Sequence, residues 1–359
     1  MSSHSEFLWY IPNDMKAGHR GDVATEGHNS LDNLTAQARA IEKHGWKGAL
    51  IGTGWGRPDT FTIATALLAR TTTFEPLIAI RPGYWQPAQF ASSAATLDQL
   101  SDGRVRVNVV SGHDELAAYG DSEREQSQRY GRTKEFMRLI RRLWTEENVT
   151  FTGDHFQVTG STVVPRPEPR GTRLHPKLYF GGASEAAERV AATEADVQLF
   201  WGEPLDGIRE RIERLKALSK ALDRDIAPLE FGLRITTLVR DTREQAWADA
   251  EAKVAKMAEG RAGSWQDHRQ VVAVGQQRLL DLAARGDVLD DNLYTAPGKF
   301  GGGGAGSTWL VGSAEDVSHS LHKYEAAGIT HFVLSDTPYL AEIQRQGDEL
   351  LPLLRNISI

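Results

Sequence analysis

One stretch of the chain predicts the fold class: residues 75–112, EPLIAIRPGYWQPAQFASSAATLDQLSDGRVRVNVVSG, with the pattern strand, loop, helix and strand. The apolar run Pro76–Arg81 stops at Pro82-Gly83, and Ala88–Leu100 carries apolar residues at helical spacing until Asp102-Gly103. A β-branched run completes the stretch. Two buried strands joined by one helix form a right-handed βαβ unit in a parallel sheet.

The rest of the chain repeats this alternation. Eight short apolar strands interleaved with helices predict an α/β fold, a (β/α)8 TIM barrel, with a doubly wound sheet as the alternative. We expect one domain over residues 1–359, with insertions at about 113–176 and 260–312 and a hairpin within Val149–Val164. The expected strands are Phe7–Ile11, Gly48–Thr53, Pro76–Arg81, Val105–Val110, Lys177–Phe180, Val197–Phe200, Phe231–Val239 and His331–Ser335.

Composition excludes several classes of protein. The formal net charge of −7 argues against broad binding to nucleic acid or to anionic membranes. No apolar run approaches the ~20 residues of a membrane span, and the first residues do not have the pattern of a signal peptide. The chain has no cysteine, which excludes disulfides, thiolate metal sites and a cysteine nucleophile. We therefore expect a cytoplasmic protein.

Arg234 is the most informative single residue. It lies in the strand FGLRITTLV (231–239), where it shares one face with Gly232 and Thr236. A guanidinium in such a strand is costly unless it is paired. The residue is therefore either half of an internal salt bridge or an anion clamp at the mouth of the barrel.

The turn YFGGAS (179–184) links a strand to a helix, and the helix N-terminus with Ser184 is suited to a phosphate, although such turns are also routine helix starts. Gly301–Gly306 matches G-x-G-x-x-G only trivially, because no strand precedes it.

The histidines show no metal-ligand spacing, so we expect no metal. His113, after the fourth strand, is either catalytic or structural. Four tryptophans at predicted strand ends suggest walls for a flat ring or a sugar, although single buried tryptophans are usually core residues: Trp9, Trp55, Trp85 and Trp201.

Several segments in the same order resemble the bacterial-luciferase-like flavin monooxygenases, and within them the FMNH2-dependent alkanesulfonate monooxygenases. They are Phe7–Pro12, Thr96–Gly112, Gln128–Phe136, Leu178–Ser184, Leu199–Pro204, Phe231–Thr242 and Gly302–Gly312. The resemblance implies a (β/α)8 barrel that receives FMNH2 from a separate NAD(P)H-dependent flavin reductase and uses O2 as co-substrate. The implied reaction is oxidative cleavage of a C–S bond with release of sulfite. The family also implies a homodimer or homotetramer.

The resemblance assigns site residues position by position. Asn108 and Ser111 would lie beside the flavin ring. Its phosphate would be bound by the group Tyr130, Gly182, Ala183 and Ser184. Trp201 and Arg234 would line the sulfonate pocket, and Lys299–Gly306 would form a mobile lid. Tyr339 or His113 would move protons, and the residues alone do not choose between them.

This chain departs from the alkanesulfonate pattern in its pocket. Thr236 replaces a histidine, Thr337 and Tyr339 replace a tyrosine and a histidine, and Arg57 replaces a cysteine. Gly302 stands where the lid has an arginine, so that Lys299 is the nearest cation. These changes make the pocket more polar and suggest a sulfonated sugar such as sulfoquinovose. The expected substrate contacts are Arg234, Arg57, Trp201, Thr236, Tyr339 and Lys299.

Three alternatives remain open. The chain could be an alkanesulfonate or sulfone monooxygenase of the same two-component type. A reduced-deazaflavin-dependent oxidoreductase shares this barrel. A flavin-free protein that binds a sugar or an anion is the third, and it predicts no turnover with any reductant.

Overall fold

The computed structural model describes residues 5–14, 27–111, 116–121, 126–261, 274–300 and 307–355. Within them the strands, numbered in chain order, are β1 (Glu6–Ile11), β2 (Gly48–Ile51), β3 (Glu75–Ile80), β4 (Arg106–Val109), β5 (Val149–Thr152), β6 (Gln157–Ser161), β7 (Lys177–Phe180), β8 (Val197–Trp201), β9 (Glu230–Val239), β10 (Val288–Leu289), β11 (Leu293–Tyr294), β12 (Trp309–Gly312) and β13 (His331–Ser335). The α-helices are α1 (Leu31–Lys43), α2 (Thr60–Leu68), α3 (Pro87–Leu100), α4 (Gln126–Thr145), α5 (Glu185–Glu194), α6 (Leu205–Ala221), α7 (Arg243–Arg261), α8 (Val274–Arg285), α9 (Ala314–Ala326) and α10 (Tyr339–Arg355).

The fold is a (β/α)8 barrel, as the sequence predicts. The hydrogen-bonded order is β13–β1–β2–β3–β4–β7–β8–β9, and β9 pairs with β13, which closes the ring of strands. Closure excludes the doubly wound alternative, whose sheet has two free edges. All eight predicted strands are present, two of them with the predicted bounds, Lys177–Phe180 and His331–Ser335.

The region 260–312 contains a strand that the sequence analysis did not predict. Strand β12 runs parallel to β9 and pairs Trp309 with Thr236, and β11 and β10 follow it in antiparallel pairs. Strands β10 and β11 are two residues long, and β12 begins with three apolar residues in a row, so no alternation of apolar and polar residues marks these strands. The ten residues of β9 allow it to pair with β13 along its first part and with β12 along its last.

The chain divides into two compact units, whose boundaries fall within β2, β8, α6 and β9. Unit 1 comprises residues 1–49, 199–214 and 231–359, and unit 2 comprises residues 50–198 and 215–230. The expectation of one domain over residues 1–359 stays a prediction.

Aromatic side chains fill the core of unit 2 between α3 and α4. Phe90 packs against Phe136 and Trp144 with ring centroids 5.5 and 6.4 Å apart. The Trp144 indole N–H donates to the carbonyl of Ala91 at 2.9 Å, so its polar atom is satisfied within the core. The predicted hairpin is confirmed as β5 and β6, and the carboxylate of Glu135 accepts the amide N–H groups of its turn at 2.8–3.2 Å.

Trp9 belongs to the core of unit 1, so its predicted place at the rim is wrong. Its ring is fully buried and meets Trp46 edge to face at 4.8 Å. The Trp46 indole N–H donates to the carbonyl of Ile343 on α10 at 2.9 Å. The physical reason is the alternation along β1, which directs Trp9 towards Trp46 while Tyr10 takes the opposite face, towards Arg234. None of the described helices combines the length and the apolarity needed to cross a membrane.

Candidate functional site

In unit 2 a glycine turn leads from β7 into the N-terminus of α5. Ser184 caps α5, and its Oγ accepts the amide N–H of Ala187 at 3.2 Å. Gly182 has a φ of +152°, and a Cβ there would lie only 2.5 Å from the Cβ of Ala187. Only glycine therefore lets the turn lie this close to the first helical turn. Ala183 sits between these two residues, and the amides at the start of α5 are suited to a phosphate.

Tyr130 on α4 lies over this turn. Its ring meets Phe180 edge to face at 6.4 Å, and its hydroxyl is 3.8 Å from the position of a Cβ on Gly182. The structure thus brings together the residues that the resemblance assigns to a phosphate. Glu185 and Glu188 add negative charge to the first turn of α5. An anion here would therefore depend on directed hydrogen bonds more than on net charge.

Gln198 on β8 supports the same turn and was missed by the sequence analysis. Its side-chain amide donates to the carbonyl of Gly182 at 3.1 Å, and the residue is fully buried. Its Oε1 meets no hydrogen-bond partner among the described residues. The only signal in the sequence is a polar residue inside the apolar strand VQLFW.

Asn108 and Ser111 lie on β4 and just beyond it. Asn108 is 8% exposed and is paired with Tyr179 of β7, and its Oδ1 has no hydrogen-bond partner in the described part of the chain. Ser111 shares a hydrogen bond with the hydroxyl of Thr133, which itself donates to the carbonyl of Arg129 at 2.8 Å. The hydroxyl proton of Ser111 is therefore directed to Thr133, and the orphaned acceptor of this strand belongs to Asn108.

In unit 1, Arg234 lies on β9 and is half-buried. Its guanidinium carbon is 4.1 Å from the centroid of the Tyr10 ring on β1. Such a cation–π contact holds the guanidinium in place without neutralising its charge. The contact fixes the guanidinium beside the Tyr10 ring, and both interpretations left open by the sequence are compatible with it.

Thr236 lies two residues further along the same face of β9. It is 1% exposed, between Ser335 of β13 and Trp309 of β12. Its Oγ1 has no hydrogen-bond partner within the described residues. A buried hydroxyl in this state is costly, and a bound ligand would satisfy it.

Trp201 ends β8 and packs against the start of α8. The edge of its ring is 3.6 Å from the position of a Cβ on Gly275, which is an ordinary van der Waals separation. Glu203, two residues later, is 3% exposed and accepts hydrogen bonds from Arg211 at 2.8 Å and from Arg278 on α8 at 2.6 Å. This carboxylate anchors α8 one turn beyond its contact with Trp201.

Tyr339 is the first residue of α10 and is 6% exposed. Its ring centroid is 6.2 Å from that of His28, which lies in the loop before α1. The sequence analysis missed His28, because only the polarity of that loop distinguishes it. The structure thus places a second titratable group next to Tyr339.

Other predicted residues lie elsewhere. The Lys299 ammonium pairs with Asp287 at 2.7 Å, and both side chains are about half exposed. A role for Lys299 at a substrate would require this pair to break. Arg57 is half-buried in the turn after β2, and Trp55 beside it is 51% exposed, with its ring on Tyr119. His113 and Gly301–Gly306, which include most of the predicted lid, lie outside the described residues.

The family model of the luciferase-like monooxygenases matches residues 5–331 of the chain. Among solved structures, the EDTA monooxygenase EmoA from Chelativorans sp. BNC1 is 16% identical, covers 99% of this chain and 94% of its own, and has a TM-score of 0.77. The long-chain alkane monooxygenase LadA is 16% identical, covers 99% and 92%, and has a TM-score of 0.76. Riboflavin lyase RcaE, solved with a modified FMN and riboflavin, is 18% identical, covers 98% and 91%, and has a TM-score of 0.75. At these identities the solved structures establish the fold alone.

Proposed function

Because this chain belongs to the luciferase-like monooxygenase family, we propose that it is a two-component flavin-dependent monooxygenase. Its substrate is an organosulfonate, from which it releases sulfite, and a sulfonated sugar such as sulfoquinovose is preferred. The observation that carries this proposal is the pair Arg234 and Thr236 on one face of β9.

The chemistry of a sulfonate suits this pair. The group has one negative charge spread over three oxygens, and the guanidinium of Arg234 offers N–H donors in a rigid fork. Tyr10 holds the guanidinium by its ring face, 4.1 Å away. The buried hydroxyl of Thr236 supplies a further donor for a sulfonate or sugar oxygen.

The residues of unit 2 fit a flavin mononucleotide. Asn108 offers a buried carbonyl oxygen that lacks a donor within the described residues, and a flavin ring carries an N–H that suits it. The turn at Gly182 packs closely against the first turn of α5, beside the Tyr130 hydroxyl and the Ser184 cap. The similar riboflavin lyase was solved with a modified FMN, which supports the choice of flavin.

We assign Asn108 and Ser111 to the flavin ring and the group Tyr130, Gly182, Ala183 and Ser184 to its phosphate. When bound, FMNH2 from a separate NAD(P)H-dependent reductase would supply the electrons with which one atom of O2 becomes water and the other enters the carbonyl product. The C–S bond breaks and the sulfur leaves as sulfite. The side chains of the protein bind the substrate, orient it and move protons.

Proton transfer is assigned to Tyr339, with His113 as the second candidate. The carbon that carries the sulfonate loses a proton as it becomes a carbonyl, so one group of the chain has to accept it. Tyr339 is buried, and its ring centroid lies 6.2 Å from that of His28, a titratable neighbour in unit 1. Arg234 and Trp201 act by orienting the substrate.

A sulfonated sugar is preferred to a plain alkanesulfonate because the proposed contacts are polar. Thr236 and Tyr339 carry hydroxyl groups, and Trp201 offers an aromatic surface for a ring. Arg57 and Lys299 are proposed as further cations, although Lys299 must first leave Asp287. We also propose a cytoplasmic homodimer or homotetramer in which residues 1–359 form one domain.

Release of sulfite tests the proposal directly. Purified protein is mixed with FMN, NADH and an unrelated flavin reductase in air, and sulfoquinovose is offered in parallel with linear alkanesulfonates. We expect sulfite from the sugar at the highest kcat/KM. Sulfite from alkanesulfonates alone would support the proposed reaction and overturn the proposal that a sulfonated sugar is the preferred substrate.

Controls separate the remaining alternatives. Catalase and a mixture without the protein correct for sulfite oxidation and for peroxide from free flavin. Turnover with a reduced deazaflavin in place of FMNH2 would indicate the other cofactor class. Saturable binding of a sugar or an anion without turnover by either reductant would indicate a binding protein and overturn the enzyme assignment.

A further inference from the structure

A buried cluster of charges surrounds the segment 336–338 between β13 and α10. Lys253 on α7 donates from its Nζ to Asp336 Oδ1 at 3.0 Å and to the carbonyl of Thr337 at 2.7 Å. Arg240, which follows β9, donates from NH1 to the other carboxylate oxygen of Asp336 at 3.1 Å. Both oxygens of one carboxylate and the next carbonyl along the chain are therefore held by cations.

The groups that make these contacts are almost completely shielded from solvent. Asp336 and Thr337 are 1% and 0% exposed, and Lys253 is 7% exposed. Water does not reach the segment to replace a lost donor, so removal of the ammonium leaves a carboxylate and a carbonyl short of a partner. Lysine is rarely buried, and a buried ion pair often adds little to stability compared with apolar side chains of the same size. Such a pair instead selects one arrangement of the groups that it joins.

Arg240 extends the cluster to two helices. Its NH1 also donates to Glu342 Oε2 on α10 at 3.3 Å, and its Nε donates to Asp249 Oδ2 on α7 at 2.8 Å. The end of β9, helix α7 and the first turn of α10 are thus joined around Asp336.

The same elements carry the proposed substrate residues of unit 1. Strand β9 presents Arg234 and Thr236 shortly before Arg240, and Thr236 is paired with Ser335, the residue before Asp336. Tyr339 follows the held segment directly. The cluster therefore joins the two chain segments that carry the anion-binding cation and the proton-transferring hydroxyl.

We propose that Lys253 is a positioning residue, which acts through Asp336 and Thr337 to set the place of Tyr339 relative to Arg234 and Thr236. This inference rests on the proposed function, because it takes Tyr339 as the group that moves the proton. Lys253 itself does not touch the substrate. Its effect is on the geometry of the proton transfer, and so on kcat more than on binding.

The test compares Lys253→Met, which removes the charge at similar length, with Lys253→Arg, which keeps a donor. Lys323→Met is the matched control, because Lys323 pairs with Asp291 at the surface of the same unit. With a sulfonate that the wild type converts, we expect Lys253→Met to lower kcat at least tenfold and to change KM less than threefold. The pH profile of kcat should shift in Lys253→Met, and Lys253→Arg should recover part of both changes. Equal losses in kcat and in the amount of folded protein, with the pH profile unchanged, would mean that Lys253 is only structural and would overturn the proposal.

Hydrogen exchange provides a readout that needs no substrate. We expect the amides of residues 336–342 to exchange at least tenfold faster in Lys253→Met than in the wild type, and at the wild-type rate in Lys323→Met. If Lys253→Met does not fold, Asp336→Asn tests the same contact with a smaller change. Unchanged exchange in this segment would overturn the inference whether or not sulfite is formed. Absence of sulfite from the wild type, with the exchange result as expected, would instead count against the proposed function alone.

Discussion

At the scale of single residues, the Arg234 guanidinium has a fixed position beside an aromatic ring. The Tyr10 ring supports one face of its guanidinium, and the alternation of β9 puts Thr236 on the same side. A ring face attracts a cation without neutralising its charge, and in the proposed function the N–H donors of this guanidinium bind the sulfonate. Loss of this cation should therefore affect substrate binding more than folding.

The first prediction concerns Arg234→Ala and Arg234→Lys. We expect Arg234→Ala to lower kcat/KM for a sulfonate by about 100-fold, since a hydrogen bond to a charged group contributes about 1.5–3 kcal/mol. Arg234→Lys should lie in between, because it keeps the charge and loses the fork. Steady-state sulfite release measures both. Arg243→Ala, from an ion pair with Asp316 that is about half exposed, is the control. A KM for the sulfonate that does not change in Arg234→Ala would contradict the assignment.

The second prediction concerns Gly182→Ala. An added Cβ would lie 2.5 Å from Ala187, so the turn must move away from α5. We expect the Kd of FMN to rise about tenfold while the Kd of riboflavin, which has no phosphate, stays the same. Titration of flavin fluorescence gives both constants. Gly171→Ala is the matched control, because Gly171 also has a positive φ and its added Cβ meets nothing within 4 Å. Equal weakening of FMN and riboflavin would count against a phosphate at this turn.

At the scale of elements, Glu203 joins three helices. Its carboxylate binds Arg211 on α6 and Arg278 on α8, and its carbonyl accepts the Tyr324 hydroxyl of α9 at 2.7 Å. Arg211 is 2% exposed and also lies over the Phe200 ring, 4.5 Å from its centroid. Glu203 thereby connects helix packing to Trp201, two residues earlier.

The third prediction concerns Glu203→Gln. The change removes the carboxylate charge that pairs with the buried Arg211, and we expect the free energy of unfolding to fall by about 3 kcal/mol. Urea unfolding measures it. Asp206→Asn is the control, because the Asp206–Arg285 pair is exposed and should contribute less than about 1 kcal/mol. Similar losses in both variants would show that burial of Arg211 does not decide the result.

The fourth prediction concerns pH. Burial first, and then the Asp336 carboxylate, raise the pKa of Glu342 to about 7, against the opposing charges of Arg240, Arg345 and Lys253. A carboxyl whose folded pKa exceeds its unfolded value binds more protons when folded, so stability falls as pH rises from about 4.5 to about 7. Above about pH 7 the contribution of Glu342 to stability no longer changes with pH.

Glu342→Gln removes this fall in stability with pH. The free energy of unfolding of the variant minus that of the wild type should therefore rise by roughly 2–3 kcal/mol from pH 5 to pH 8. Unfolding curves at several pH values measure the difference. Glu146→Gln, from the exposed pair with Arg142, should show no such trend. A constant difference for Glu342→Gln across this range would contradict the raised pKa.

At the scale of the whole molecule, the closed ring of strands carries a flavin site and a sulfonate site in the proposal. A ligand that binds only the folded chain stabilises it by mass action. The fifth prediction is that FMN at 100 times its Kd raises the free energy of unfolding by about 2.7 kcal/mol. Thermal and urea unfolding with FMN, riboflavin or AMP measure the effect. AMP, a phosphate ester without a flavin ring, should give no increase, and an increase equal to that of FMN would show that the site does not select a flavin.

The sequence by itself determined the alternation of eight strands with helices, and the pairing of β9 with β13 decided that the strands close into a barrel. Each strand is a short apolar run bounded by glycine, proline or polar residues, and this local pattern predicted all eight strands. The turn at Gly182–Ser184 and the shared face of Arg234 and Thr236 were also predictable, since both follow from residues a few positions apart. The roles of these residues stay predictions.

Only the tertiary structure decided the contacts between distant residues. Trp9 is buried because Trp46 lies against it, and Gln198 matters because it reaches Gly182, 16 residues earlier. Lys253 reaches Asp336 across 83 residues, and strand β12 is a strand because β9 extends beyond the barrel to pair with it. Periodicity records which face of an element a residue occupies. It does not record which other element lies against that face, because that depends on how the whole chain packs.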